Sequence, residues 1–267
     1  MPLELFKSHL EDKGLSESTI KAYLYAVEIF SDTYTVDHKQ LLEYKGYLIE
    51  HYKPQTTNLR INGINRYLEY LGRTDLRLKT IKFQQKTFLE NVISHADYTF
   101  LKAQLKKEGK VKWYFIVWYL GATGARISEL VKLKIEHIQV GYFDIYSKGG
   151  KTRRLYIPKK LKDETLLWVE KKGLRSGYLF LNQKNQQIST RGISLHLKYC
   201  AKKYGINPNV VYPHSFRHLF AKNFLKRHND ISLLADLMGH DSIETTRIYL
   251  RKSSMEQQQI INDVVTW

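Results

Sequence analysis

Tyr249 ends a stretch, Pro213 to Leu250, whose side chains could carry phosphoryl-transfer chemistry. His214 and Arg217 lie at the start of this stretch with two residues between them, and the run Leu-Met-Gly-His at 237–240 precedes the tyrosine. Planar guanidinium groups bind phosphate with paired hydrogen bonds, histidines can move protons, and a tyrosine hydroxyl can attack phosphorus. These residue types in this order indicate attack on a phosphodiester.

Two motifs further upstream add groups of the same kind. A Gly-x-Arg-x-x-Glu run contributes Arg126 and Glu129, and a Lys-Gly-Gly-Lys turn begins at Lys148. On a helix Glu129 would share a face with Arg126 and could orient its guanidinium. In-line attack places negative charge on two non-bridging oxygens, which Arg126 and Arg217 could stabilise, while Lys148 could protonate the leaving oxygen. No carboxylate cluster is suitably placed for a metal, so we expect neither a metal nor another cofactor.

This ordered set resembles the tyrosine recombinases, also called the phage-integrase family. The resemblance implies site-specific cleavage and rejoining of DNA strands through a 3′-phosphotyrosine intermediate, for integration, excision or resolution of DNA elements. It implies that Tyr249 is the nucleophile, that His214 accepts its proton, and that His240 bonds the phosphate or braces the tyrosine. Glu129 would have a supporting role. Carried over position by position, the catalytic set is Arg126, Lys148, His214, Arg217, His240 and Tyr249.

Two other functions are compatible with parts of this pattern. A type IB topoisomerase shares the covalent tyrosine mechanism, and a non-enzymatic helical DNA-binding repressor would account for the basic charge. The short chain and its helical N-terminal unit favour a recombinase over the first, and the ordered catalytic set argues against the second. Three further histidines, His196, His218 and His228, are interpreted as structural.

The charge balance predicts a polyanionic partner. Lys and Arg number 43 against 26 Asp and Glu, which gives a net charge of +17 and a pI near 9.7. A folded chain with this excess favours nucleic acid, here double-stranded DNA, over a merely basic soluble protein. Phosphate contacts are expected from two groups of basic residues. For the first group the alternative is a solvated hairpin edge, and for the second it is an ordinary loop. The first group is Lys151, Arg153 and Arg154, and the second is Arg73, Arg77 and Lys79.

Cysteine usage and hydropathy favour a reducing compartment. Cys200 is the only cysteine, which excludes an intramolecular disulfide framework and a cysteine-cluster zinc site. The first residues, MPLELFKSHLEDKG, carry charges and lack the apolar core of a signal peptide. No apolar run approaches the roughly 20 residues that span a bilayer. We therefore expect a cytoplasmic protein without a membrane partner.

The periodicity predicts a mainly α fold with one small antiparallel β-sheet. A helical domain comes first along the chain, and an α+β catalytic domain follows it. Residues 1–75 read as a helical, SAM-like core-binding domain with helices from Ser16, from about His38 to Tyr52 and from about Thr56 to Leu71. Residues 76–92 read as a basic linker, and residues 93–267 as the catalytic domain with a C-terminal tail helix.

Short alternating runs predict the strands of the catalytic domain, with Ser147 to Lys151 as the hairpin turn. These runs are Ile138–Val140, Tyr142–Tyr146 and Arg153–Ile157. An aromatic cluster within Val111–Ala122 is interpreted as core and not as a base-stacking surface. The other predicted helices are Tyr98–Lys107, Leu161–Lys172, Thr190–Tyr204, Pro213–Lys226, Ile231–Met238 and Ile243–Tyr249.

The tail from Ser253 to Trp267 predicts a helix with one apolar stripe, formed by Ile260, Ile261, Val264 and Val265. Such a stripe at the end of a chain must be buried against something. The family resemblance implies that it docks into a neighbouring subunit of a homotetramer on two DNA sites. Folding back onto its own domain is the alternative.

Overall fold

A computed structural model describes residues 3–83, 91–146, 152–240, 242–250, 254–265 and 267. The chain divides into two compact units, Met1–Gln85 and Lys86–Trp267. Each unit has its own hydrophobic core. No helix in the described part of the chain combines the length and apolar character needed to cross a membrane.

The described residues of the first unit form four α-helices, of which three were predicted, and a short 3-10 helix, Thr74–Leu76. Ser16 caps the second helix by accepting a hydrogen bond from the backbone N–H of Thr19, as its position predicted. Pro54 does not end the third helix but opens the fourth, because proline is well tolerated in the first turn. The first helix was not predicted. The bounds are α1 Leu3–Asp12, α2 Glu17–Ser31, α3 His38–His51 and α4 Pro54–Tyr70.

The chain that follows α4 packs back on this helix. Leu76 and Leu78 are buried in the core of the first unit. The amide of Asn65 donates to the carbonyl of Leu78 at 2.9 Å and accepts from its N–H at 2.8 Å. Asn58 makes the same pair of bonds with Ile81, at 3.0 and 2.9 Å. The first part of the predicted linker is therefore held to α4, and residues 84–90 lie outside the described ranges.

The second unit is mainly helical with one two-stranded antiparallel sheet, which confirms the predicted fold class. Its core is centred on α6, whose aromatic side chains are buried as predicted, among them Phe115 and Tyr119. The helices of this unit are α5 His95–Lys107, α6 Val111–Thr123, α7 Ile127–Leu130, α8 Ile135–Val140, α9 Lys159–Lys171, α10 Thr190–Lys203, α11 Pro213–Arg227, α12 Ile231–Met238, α13 Ile243–Arg247 and α14 Ser254–Val264.

The run Ile138–Val140, predicted as a strand, is instead the end of α8. Ile135 and Ile138 are both buried at helical spacing, whereas Val140 is exposed. Gly141 ends the helix in the left-handed conformation with φ of 90°. The strand prediction for this run was wrong, because an alternating run of three residues is too short to distinguish the helical from the strand periodicity.

The hairpin consists of β1, Tyr142–Tyr146, and β2, Thr152–Tyr156. The register pairs Ile145 with Arg153 and Asp144 with Arg154. Because successive side chains of a strand point to opposite faces, Arg153 lies on the face of Leu155 and Arg154 on the opposite one. Both Arg153 and Leu155 are buried.

Candidate active site

Arg126 is held at the start of α7 by Glu129. Gly124 ends α6 with φ of 64°, and Arg126 takes the N-cap position of α7. The Glu129 carboxylate accepts from the backbone N–H of Arg126 at 2.6 Å and from its Nη1 at 3.0 Å. Glu129 is buried, so this pair fixes both the backbone and the guanidinium of Arg126. The predicted orienting contact of Glu129 is present in the structure.

Arg217 projects from α11 towards the same place. Its Nη1 donates to the Gly124 carbonyl and its Nη2 to the Met238 carbonyl, each at 2.6 Å. Burial, together with the charges of Arg126 and Arg153, lowers the pKa of Arg217 to about 10. Arg217 therefore remains positively charged at neutral pH in a site that is already rich in positive charge. Such a site favours an anion.

Arg153 does not lie where the sequence prediction placed it. Its side chain is 7% exposed, and it forms an ion pair with Glu129 and a hydrogen bond to the Leu237 carbonyl. A guanidinium held inside the protein in this way is not available to a DNA phosphate. The expectation of a phosphate contact by Arg153 is corrected accordingly. Its alternation with Leu155 along β2 was a signal that could have indicated burial.

His240 follows the left-handed Gly239 at the end of α12 and contacts Arg217. The Arg217 Nη2 lies 3.0 Å from His240 Nε2, and Thr246 Oγ1 lies 2.8 Å from His240 Nδ1. A guanidinium can only donate, so Nε2 accepts and the ring proton is on Nδ1, which donates to Thr246. Thr246 is fully buried and was missed by the sequence reasoning, because no motif marks it.

Tyr249 lies just beyond α13, beside this cluster. Its ring packs with Ala221, Leu234 and Met238 and is stacked with His240 at 6.3 Å between ring centroids. Burial raises the pKa of Tyr249, and the positive charge of Arg217 opposes that rise. The tyrosine is therefore protonated at neutral pH and needs a proton acceptor when it attacks.

Two further histidines, His214 and His218, lie on α11, the helix that carries Arg217. Burial, followed by the charges of Arg217 and Arg126, lowers the pKa of His214 below its usual value. His218 contacts the Tyr249 ring at 5.4 Å between centroids, and burial lowers its pKa to about 4. Both rings are therefore neutral at pH 7.

The other predicted site residues lie apart from this cluster or outside the described ranges. Lys148 and Lys151 fall in residues 147–151, which the structure does not describe. Arg154 pairs with Asp144 at 2.8 Å, and Arg73 pairs with Asp75 at 3.2 Å. Arg77, Lys79 and His228 are exposed. His196 stacks on Trp113 with 3.6 Å between centroids.

The described residues therefore bring together the two arginines, the two histidines and the tyrosine of the predicted set. Arg217 contacts His240, and the Tyr249 ring stacks with the same histidine, so the tyrosine hydroxyl belongs to a cluster of basic groups that favours an anion. A mainly helical unit with this cluster defines a tyrosine recombinase.

Comparison with known proteins gives the same class. Residues 91–256 match the phage integrase family. The tyrosine recombinase XerA of Pyrococcus furiosus is 30% identical over 98% of this chain and 96% of its own length. The tyrosine recombinase XerD of Listeria innocua is 26% identical over 93% of each chain. The chain belongs to the phage integrase family and is a site-specific tyrosine recombinase, an enzyme that cleaves and rejoins DNA strands.

Solved structures share the fold over nearly the whole chain. The crystal structure of XerA recombinase covers 99% of this chain and 98% of that one, with a TM-score of 0.57 and 23% identity. The Tn1549 transposon integrase in complex with transposon right end DNA covers 99% of both chains, with a TM-score of 0.73 and 16% identity. At this identity the likeness concerns the fold.

Proposed function

We propose that Tyr249 attacks the scissile phosphate and that Arg126 and Arg217 bind its non-bridging oxygens. The Tyr249 oxygen forms a bond to phosphorus, the bond from phosphorus to the 5′-oxygen breaks, and a 3′-phosphotyrosine and a free 5′-hydroxyl result. A later 5′-hydroxyl reverses these steps and joins a second strand. The phosphodiester energy is kept in the phosphotyrosine, so no nucleotide cofactor is required.

One observation supports this assignment above the others. Arg217 contacts His240 at 3.0 Å, and the His240 ring stacks with the Tyr249 ring, so the nucleophile and a phosphate-binding group share one neighbour. A phosphate bound by Arg217 would therefore lie close to the tyrosine. Arg126 adds a half-exposed guanidinium whose orientation Glu129 already fixes. This preorganisation lowers the cost of stabilising charge in the transition state.

The protons are assigned to two further residues. His214 accepts the Tyr249 proton, as the family resemblance implies, and its lowered pKa keeps its ring neutral at pH 7 and able to do so. Lys148 gives a proton to the leaving 5′-oxygen, as the family resemblance implies. His240 orients Arg217 in this scheme, since its Nε2 accepts from that guanidinium and its Nδ1 is bonded to Thr246.

The DNA partner extends beyond the cleaved phosphate. We assign further backbone contacts to exposed basic residues outside the catalytic cluster: Arg154 and Lys151 at the hairpin, and Arg73, Arg77 and Lys79 at the end of the first unit. The first unit is assigned the role of a core-binding domain. The net charge of +17 supports many phosphate contacts, and affinity should then fall as salt rises.

We also propose assembly through α14. Ile261 and Val264 on this helix are 54% and 59% exposed, and Val265 and Trp267 after it are 40% and 91% exposed. Apolar side chains in this number on one short segment favour burial against another surface. A neighbouring subunit in a tetramer on two DNA sites would supply it.

Covalent capture on DNA tests the function. A nicked suicide duplex releases a short fragment after cleavage, so the enzyme remains attached when the sample is denatured. The unaltered protein should form this adduct, and Tyr249→Phe should bind the same duplex but form none. An adduct that persists in Tyr249→Phe would show that another residue is the nucleophile. A protein that binds but never attaches would support the repressor alternative.

A further inference from the structure

The C-terminal end of α12 accepts hydrogen bonds from three arginines that belong to three different elements. The carbonyl oxygens of residues 237 to 239 each accept one such bond. The last carbonyls of a helix lack partners within the helix, and the helix dipole makes this end negative. The helix end therefore holds three guanidinium groups along one short piece of backbone. The pairs are Arg153 with Leu237, Arg217 with Met238, and Arg126 with Gly239.

Arg153 is more deeply buried than Arg126 in this arrangement. Its side chain is 7% exposed, whereas that of Arg126 is 36% exposed. Its two terminal nitrogens are bonded to the Leu237 carbonyl and to Oε2 of Glu129. The other carboxylate oxygen of Glu129 holds the Arg126 guanidinium. Arg153 thus contacts the residue that orients Arg126, and it does so from the buried side.

We propose that Arg153 is a positioning residue, which acts on the scissile phosphate through Glu129 and Arg126. This inference rests on the proposed function of Arg126. The ion pair of Arg153 with Glu129 fixes the carboxylate that orients Arg126. The hydrogen bond of Arg153 to the Leu237 carbonyl fixes the end of α12, where Arg126 donates to the Gly239 carbonyl. Two separate contacts of one side chain therefore determine where the Arg126 guanidinium lies.

The same side chain ties the hairpin to the helix that leads to the nucleophile. Arg153 lies on β2 and pairs in register with Ile145 of β1. The residues between these strands include Lys148, the proposed acid. The helix end that Arg153 holds continues directly into His240. Arg153 therefore connects β2 to the helix end that leads to the nucleophile.

The first test measures the rate of adduct formation on saturating nicked DNA. Arg153→Met keeps the length of the side chain but removes the guanidinium, and we expect the rate to fall about 100-fold, as small misplacements of catalytic groups do. Arg153→Lys keeps the charge but cannot make both contacts, and an intermediate rate is expected. DNA affinity should not change. Lys203→Met, which removes the ion pair of Lys203 with Glu108 elsewhere in this unit, is the control and should keep the unaltered rate.

The second test separates positioning from a general loss of structure. Arg153 acts through Arg126 in this proposal, so its replacement should matter little once Arg126 is absent. We expect Arg153→Met to lower the adduct rate of Arg126→Ala by less than about tenfold, because coupled residues are not additive. Damage to the fold would instead multiply the two losses. If Arg153→Met does not fold, Arg153→Lys in the same two backgrounds replaces it.

Four outcomes are informative. An unaltered rate in Arg153→Met, or the same loss with and without Arg126, overturns the proposal. Rescue of Arg153→Met by a 5′-bridging sulfur, whose leaving group needs no proton, would also overturn it, since Arg153 would then act on Lys148 and not on Arg126. Absence of any adduct from the unaltered protein would contradict the proposed function itself.

Discussion

The Thr246 hydroxyl lies 2.8 Å from Nδ1 of His240 and accepts the proton that this nitrogen carries. On the other side of the ring, Nη2 of Arg217 lies 3.0 Å from Nε2 of His240 and donates to it. The imidazole is therefore clamped between a donor and an acceptor, with its plane parallel to the Tyr249 ring to within 15°. A fixed ring beside both the arginine and the nucleophile limits how either can move.

Thr246→Val should weaken this clamp at nearly constant volume. The Nδ1 proton would lose its acceptor, and an unsatisfied buried donor costs about 1–3 kcal/mol. We expect an adduct rate about tenfold lower, which corresponds to about 1.4 kcal/mol, with DNA affinity unchanged. Thr246→Ser retains the hydroxyl and should keep most of the rate. Equal rates for the valine and serine variants would contradict the role of this hydrogen bond.

The arginines and Lys148 should respond differently to the leaving group. Arg126→Ala and Arg217→Ala lose charge stabilisation of the phosphate oxygens, and each should be slower by about 100-fold or more on every substrate. Lys148→Ala should be slow on ordinary DNA but recover on a substrate with a 5′-bridging sulfur, because that leaving group needs no proton. The measurement is the adduct rate on both substrates. If Lys148→Ala is not rescued, Lys151 or His214 becomes the candidate acid.

Gly239→Ala should disturb the site through Arg153. Gly239 has φ of 61°, and a Cβ at this position would overlap Cδ of the Arg153 side chain. We expect a lower melting temperature and a loss of adduct rate at least as large as that of Arg153→Met. Gly205→Ala is the matched control, since Gly205 has φ of 70° but nothing within 4 Å of its Cβ position. It should lose stability alone, by about 1–2 kcal/mol. A Gly239→Ala variant with an unaltered rate would contradict the prediction.

The motifs predicted the catalytic cluster because the chemistry restricts which residue types can serve. Arg126, Arg217 and His240 need particular side chains at particular spacings, and these are visible in the sequence. Thr246 could not be predicted, because a buried hydroxyl that orients a histidine has no spacing rule of its own. Arg153 was placed on the wrong face, although its alternation with Leu155 and Ile157 indicated burial. The positive charge of Arg153 suggested solvent exposure, but its side chain is buried because it pairs with the buried Glu129.

The fold was predictable where periodicity extends over several turns. The helices α2, α6 and α11 have long apolar faces and clear ends. The segment α8 has only six residues, and its last three resemble a strand. The residues after Leu76 were interpreted as linker because their periodicity is weak. Their packing on α4 depends on two asparagine side chains, Asn58 and Asn65, whose partners are distant in sequence.

The buried His218 should make stability depend on pH in a defined direction. Its pKa is lowered to about 4 in the folded protein, by burial and then by the charges of His214, Arg217 and Lys222. At pH values between the folded pKa of about 4 and the unfolded pKa of about 6.5, His218 binds a proton in the unfolded chain but not in the folded one. The free energy of unfolding should therefore fall as pH drops, by about 1.4 kcal/mol per pH unit from this group.

Denaturant titrations from pH 7 to pH 4.5 test this dependence. Other groups contribute their own slopes, so the comparison is between variants. His218→Gln should show a shallower loss of unfolding free energy below pH 6.5 than the unaltered protein, and His228→Gln, at an exposed position, serves as the control. Parallel curves for His218→Gln and the unaltered protein would show that His218 is not buried as a neutral ring.

The exposed stripe on α14 leads to the last prediction. Deletion of residues 254–267 should leave folding and binding to a single DNA site intact, because Ile261 and Val264 are exposed and add little to the core of their own unit. Assembly of two DNA sites into one complex, and strand exchange between them, should be lost. Val264→Asp tests the same surface without truncation, since a charge at an exposed position permits folding but opposes apolar docking. The measurements are a thermal melt, a single-site binding titration and a paired-site mobility shift. A melting temperature lowered by the deletion, with paired-site assembly reduced only in proportion, would instead show that the helix packs on its own unit.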